Sequence, residues 1–237
     1  MAYEIASCLV GSEMCIRDRH IYQSYFNLPL GMGIIGILLP PLLWLVAYIL
    51  KGQGLLPSMS AYYHTVSRDV FVGALFAIGA AAFLYKGYSH KENIAMNLAG
   101  IFAVGVAVVP TDCPDGIPRK WCESPTYSSV HAGFALLFFL MIAYVCLFRS
   151  KDTLTTVKDE ALRRRYSRLY LCIGILMILL PVLVFIKSQG YMNIVSARTA
   201  LFWMEALAIW SFSAFWLVKS FEIKQTTVKP ELLLAKF

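Results

Sequence analysis

Charged side chains are scarce in this chain, and their scarcity is concentrated. Lys, Arg, Asp and Glu make up 15% of its 237 residues. Six long stretches contain between them a single one, Glu205. A pore lined by charge needs ionisable groups through the depth of the bilayer, and here they stop at the ends of the stretches. No internal repeat is evident, so the paired halves on which many transporters are built are missing. The connections are short, which leaves no room for a separate soluble domain.

What is present is apolar. Hydrophobic residues make up 59% of the chain, with a mean hydropathy of +0.65, against roughly 45–50% apolar in soluble domains. The excess lies in Leu30–Leu50, Val70–Tyr85, Ile94–Val109, Val130–Phe148, Leu169–Ile186 and Ala200–Val218. Each is about long enough to cross a hydrocarbon core of roughly 30 Å as a helix. Helices and closed barrels alone can satisfy every backbone polar group in lipid. The expectation is an all-α integral membrane bundle of six transmembrane helices over 20–222, followed by a cytoplasmic tail, 223–237. The net charge of +7 does not point to nucleic acid, because the basic residues flank the spans, where topology signals and anionic headgroups place them.

The first nineteen residues stand apart. The run Cys8-Leu-Val-Gly-Ser-Glu-Met-Cys-Ile-Arg-Asp-Arg19 resembles the translation of a transposase adapter used in preparing sequencing libraries. It has no apolar run long enough for a signal peptide and no basic region ahead of one. Residues 1–19 are therefore set aside as non-native, with the native chain expected to begin near His20.

Six spans put the loops after spans two and four on the same side as both termini. That side carries thirteen Lys and Arg against six on the other, so both termini are expected in the cytoplasm of a cell membrane. Loops 51–69, 110–129 and 187–199 then face outward. Cys113 and Cys122 lie in one of these loops, where an oxidising exterior permits a disulfide, and the Pro- and Gly-containing segment between them allows the approach. Cys146 and Cys172 fall inside spans and read as packing residues.

Small residues suggest where the helices pack closely. They are Ala99, Gly100, Ala103 and Ala107 in span three, Gly73, Ala77 and Ala81 in span two, and Gly31, Gly33 and Gly36 in span one. Pro40-Pro41 are expected to kink or interrupt span one, and Pro181 to bend span five. Trp44, Trp203 and Trp216 fit interfacial anchors. The basic run 158–168 reads as a helical extension into the cytoplasm and a topology anchor.

Ionisable groups near a membrane need a reason. Spans two, four and six all run inward, and their polar residues lie near their starts. Ser60, His64, Arg68, Asp69, His131, Arg198 and Glu205 therefore come to one outer end of the bundle, joined by Asp112, while Asn97 lies at the inner end. Three readings fit this constellation. Arg68–Asp69 and Arg198–Glu205 can be charge pairs that lock loops down. The cluster can hold the polar head of a lipid or other amphipathic molecule, with the spans around its tail. Or His64, His131 and a carboxylate from Asp69 or Glu205 can form a zinc site with an open position for water.

Ser60-Ala-Tyr-Tyr-His64 followed by Asp69 resembles the Ser-x-x-x-His element of the membrane hydrolases grouped with alkaline ceramidases and adiponectin receptors. That resemblance implies zinc held by three histidines, two of them from a His-x-x-x-His pair on the last span. The last span here has no histidine, and the element precedes span two. A wider resemblance covers most of the chain after residue 19. The run 58–73, the run 97–110, the His131 span and Trp203-Met-Glu205 are similar to a family of small bacterial membrane proteins classed as a domain of unknown function (number 998). It implies six helices and brings no activity. The expectation is a non-catalytic protein without a cofactor that binds membrane lipid or a small amphiphile at its outer polar cluster. The alternatives are a zinc-dependent lipid hydrolase and a small transporter.

Overall fold

In a computed structural model the described residues are 2–113, 127–154, 159–188 and 198–225, with Ile117, Cys122 and Val157 between them; side chains are described from Asn27 onward, except those of Lys151, Ser188 and Gln225. The expected non-native segment lies outside the described side chains, and the tail beyond 225 lies outside the described residues altogether. All regular structure among the described residues is helical. The elements are α1 (Ala2–Lys51), a 3₁₀ turn (Ser60–His64), α2 (Arg68–Leu84), α3 (His90–Val108), α4 (Ser128–Tyr144), a π-helical turn (Val145–Arg149), α5 (Ser150–Leu154), α6 (Glu160–Ser188) and α7 (Ala200–Gln225).

Five segments are long and apolar enough to cross a membrane: Asn27–Lys51, His90–Val108, Ser128–Leu154, Glu160–Lys187 and Ala200–Lys224. Helix α2 is shorter, at 17 residues. The bundle's exterior is compatible with a multi-pass membrane protein. Ile49, Leu84, Phe148 and Leu171 are all more than half exposed, a surface that water disfavours and lipid accepts.

Each long helix packs on the next in the order α1, α2, α3, α4, α6, α7, and α7 returns to α1. The core of this closed bundle holds Met32, Leu43, Ile78, Met96, Ile142, Met177 and Phe212, all fully buried. The segments 55–67 and 109–113 gather at one end with the start of α7. The α2–α3 turn, α5 and the end of α7 gather at the other.

The tight α2–α3 contact forms as its small residues predict on the α3 side, where Ala99, Ala103 and Ala107 are buried. On the α2 side the contact belongs to Gly79. Gly73 and Ala77, expected there, are exposed. Gly33 and Gly36 lie against Leu217 and Ser213 of α7, whereas Gly31 faces open space.

Pro40 and Pro41 do not interrupt α1, which runs through both. Proline at 41 frees the carbonyl of Ile37, four residues back. Trp210 of α7 donates its indole N–H to that oxygen at 3.3 Å, so the neighbouring helix supplies the missing bond. Trp44 and Trp203 are exposed as interfacial anchors would be. Trp216 is not one: it is fully buried against Tyr85, Phe212 and Phe215. The basic run enters α6, where Arg163, Arg164, Arg165 and Arg168 stand exposed on the first turns, and Arg164 pairs with Glu160 at 3.3 Å.

Candidate functional site

The segment Pro57–His64 folds back over the end of the bundle, held by bonds that its own polar residues provide. Ser58 Oγ accepts from the Ala61 N–H at 3.1 Å where the chain enters the 3₁₀ turn. The Phe202 N–H of α7 donates to the Pro57 carbonyl at 2.8 Å. Glu205, one turn further along α7, accepts the Met59 N–H on Oε2 at 2.5 Å, and the Ser60 amide and hydroxyl also face its carboxylate. Tyr62 fills the space beneath, fully buried, with its hydroxyl 3.3 Å from the Leu56 N–H. Burial raises the Tyr62 pKa above the ordinary phenol value, so this hydroxyl stays neutral.

The two histidines secure a second segment. His64 Nε2 lies 2.9 Å from the Thr111 carbonyl, and His131 Nδ1 lies 2.8 Å from the Val109 carbonyl. A carbonyl only accepts, so in both rings the nitrogen in contact carries the hydrogen. The extended residues 109–111 are thus clamped between the 3₁₀ turn and α4. Asp112 follows, its N–H donating to Ser128 Oγ at 2.7 Å.

Between these segments and the helices lies a cavity of about 440 Å³, within the range of roughly 300–1,000 Å³ typical of ligand sites. Leu39, Phe71, Leu75, Phe138, Phe139 and Phe185 are among its apolar walls. Its polar groups are Ser58, Ser60, Thr111, Asp112, Ser128, His131 and Glu205, and among the described residues no Lys or Arg lines it.

Four of the eight residues singled out in the sequence therefore meet at this cavity: Ser60, Asp112, His131 and Glu205. Four do not line it. His64 is buried behind it. Arg68 turns to Tyr63, with Nη2 2.8 Å from the phenol oxygen and the guanidinium over the ring. Asp69 is exposed at the start of α2, and Arg198 is exposed before α7. The carboxylate of Glu205 meets the backbone of the 3₁₀ turn in place of the ion pair with Arg198. His64, His131 and Asp69 do not assemble as a zinc site: among the described residues, no three His, Cys, Asp or Glu side chains come close enough to hold a metal ion. Each histidine has one ring nitrogen committed to a carbonyl, and Asp69 points to the surface.

Cys113 and Cys122 are joined as a disulfide, with Cα atoms 5.6 Å apart, and Cys113 also lines the cavity. Residues 114–116, 118–121 and 123–126 lie outside the described residues, Arg119 and Lys120 among them. Cys146 is buried in the π-helical turn and Cys172 is exposed on α6.

Ser58, Thr111 and Ser128 were not anticipated. The signal for Ser58 was the Pro-Ser pair, residues that favour a turn. Also unanticipated is a buried polar cluster at the opposite end of the bundle, built on Lys219 and Glu222 of α7, which are 2% and 0% exposed. Lys219 follows directly on an apolar run and so reads as a flanking charge.

No protein-family model, no curated protein and no solved structure matches this chain.

Proposed function

We propose that this chain is a six-span integral membrane protein of the cell membrane, with both termini in the cytoplasm, whose outward cavity binds a lipid or other small amphiphile without transforming it. In this reading α2 is the sixth span: it packs between α1 and α3, and 17 residues lie at the lower limit of what crosses a bilayer. The orientation rests on the distribution of Lys and Arg. With buried Lys219 discounted, it is twelve to six.

The observation that carries the ligand reading is the cavity itself, apolar in its walls and polar at one end. Its two carboxylates, Asp112 and Glu205, with no Lys or Arg lining it among the described residues, disfavour a phosphate or carboxylate head. They favour a neutral or cationic one, bearing hydroxyl or amine groups. The resemblance to the family of unknown function agrees with the membrane part of this reading and adds no chemistry.

The test is to purify the protein in mild detergent and identify bound amphiphiles by mass spectrometry of the intact complex. Ala135→Trp places an indole in the cavity and is expected to remove the bound molecule while leaving thermal unfolding near wild type. Asp69→Ala, away from the cavity, is the control. Equal occupancy in wild type and Ala135→Trp would sink the reading.

A further inference from the structure

Glu205 lines the cavity, but its carboxylate is committed to the protein's own chain. It accepts the Met59 N–H at 2.5 Å, and the Ser60 amide and hydroxyl face it as well. The lining hydroxyls are committed in the same way. A hydroxyl has one hydrogen. With the Ser60 hydrogen turned to Glu205, the 3.2 Å contact between Ser58 Oγ and Ser60 Oγ is donated by Ser58. Thr111 Oγ1 donates to the Ser60 carbonyl at 3.4 Å. Ser128 Oγ accepts the Asp112 N–H.

His131 differs from all of these. It lines the cavity, yet it is only 6% exposed. Its Nδ1–H goes to the Val109 carbonyl at 2.8 Å. Phe71, itself a cavity wall, stacks on the imidazole with ring centroids 6.4 Å apart. The first contact sets the direction of the ring and the second sets its plane. Nδ1 is turned to residue 109, so Nε2 is the ring nitrogen left to the cavity. With the hydrogen on Nδ1, the neutral ring makes Nε2 a bare acceptor. Among the described residues Nε2 has no hydrogen-bond partner.

A buried acceptor without a donor is costly, and native proteins hold few of them. Clamping residues 109–111 uses only Nδ1, so packing gives no reason to place the second nitrogen on a cavity. The ring is also held before anything binds, which removes the cost of ordering it on contact. The polar end of the cavity is therefore short of one hydrogen, and a ligand can bring it.

We propose that His131 selects the head group of the bound amphiphile: Nε2 accepts a hydrogen from an alcohol or an amine, and heads with no hydrogen to give, such as ethers, esters and quaternary ammonium groups, are rejected. This rests on the cavity reading above and names its ligand class. The rejection follows because a methyl group covers the lone pair without pairing it.

The test uses two pairs of single-chain probes that differ in donor hydrogens: dodecylamine against dodecyltrimethylammonium, and dodecanol against its methyl ether. Binding to the full chain in a non-ionic detergent is read from the rise of unfolding temperature with probe concentration. In wild type, in at least one pair, the donor is expected to bind about tenfold tighter or more, and the pair that shows it tells amine from alcohol. In His131→Asn the side-chain amide keeps an N–H for Val109 and lacks the ring acceptor, so the preference should fall to near unity. A second readout decides the matter if His131→Asn fails to fold. The chain has four histidines, and in isotope-labelled protein the nitrogen resonance of His131 Nε2 should move upfield with the donor probe and stay in place with its methylated partner. Members of both pairs that bind wild type alike, a preference that survives in His131→Asn, or a His131 ring with hydrogen on both nitrogens in the free protein would each overturn the proposal and leave the cavity reading standing. Probes that bind Ala135→Trp as tightly as wild type would overturn both.

Discussion

The close approach of α2 and α3 gives a sharp quantitative test. A Cβ on Gly100 would lie 2.7 Å from the carbonyl oxygen of Gly79, and a Cβ on Gly79 would lie 3.0 Å from the carbonyl oxygen of Gly100. Ordinary C···O contacts are about 3.3 Å or longer, so Gly100→Ala must push α2 and α3 apart by about 0.6 Å. The obstacle is backbone and cannot rotate away. A gap of that size forfeits about a quarter of the dispersion energy along the seam, where Ala99 and Ala103 are fully buried. Overpacking of this kind costs about 1–3 kcal/mol. Gly73→Ala is the matched control, on the same α2 but with nothing within 4 Å. Helix propensity makes it neutral or stabilising by up to about 1 kcal/mol. Gly100→Ala gains the same propensity, so the two variants should differ by the overpacking cost alone, about 1–3 kcal/mol, in reversible unfolding in mixed SDS micelles. Equal stabilities would refute close packing at this seam and with it the α2–α3 register.

Further outcomes follow from other contacts. Lys219→Met removes the ammonium 3.3 Å from buried Glu222 and is expected to cost about 3–5 kcal/mol in the same assay, and Lys219→Met with Glu222→Met should recover most of that loss; a double variant no better than the single would argue against a coupled pair. Trp210→Phe removes the donor to the Ile37 carbonyl and should cost about 0.5–1.5 kcal/mol, with the loss abolished on a Pro41→Ala background, where the backbone N–H returns. Cys113 and Cys122 should resist a membrane-impermeant maleimide on intact cells until reduced and then label; labelling only after lysis would invert the orientation. Cys122→Ser opens a link with a sequence separation of 9, worth about 2–3 kcal/mol in the chain-entropy account, read as a lowered midpoint of unfolding.

Half of the residues singled out in the sequence line the cavity, because polar residues at the boundaries of apolar runs are easy to see. There, alternation of direction alone brings Ser60, Asp112, His131 and Glu205 to one end. Their partners were not legible. Glu205 binds the Met59 amide, and His131 the Val109 carbonyl, through backbone groups that every residue carries. The α2 interface was misjudged for a related reason. Gly73, Ala77, Gly79 and Ala81 lie on different sides of one helix, so composition shows that a close face exists and leaves its phase open. The cluster of Lys219 and Glu222 at the opposite end was hidden by a length effect. A Lys at the end of an apolar run looks the same whether it reaches water or turns inward. Only the three-residue spacing of Lys219 and Glu222, with Trp216 one turn before, hinted that α7 stays inside the bundle for another turn.

Helix α7 reaches both polar ends without a proline or a glycine between 200 and 225, whereas α1 and α6 each contain proline. Glu205 and Glu222 are separated by seventeen residues, about 25 Å along a helix rising about 1.5 Å per residue. Mechanically, α7 is the stiff stave of the barrel, and its neighbours are the ones with joints. A tilt imposed at the cavity would be carried along an unbroken helix to the far end. There it would change the distance from Glu222 of α7 to Thr153 of α5.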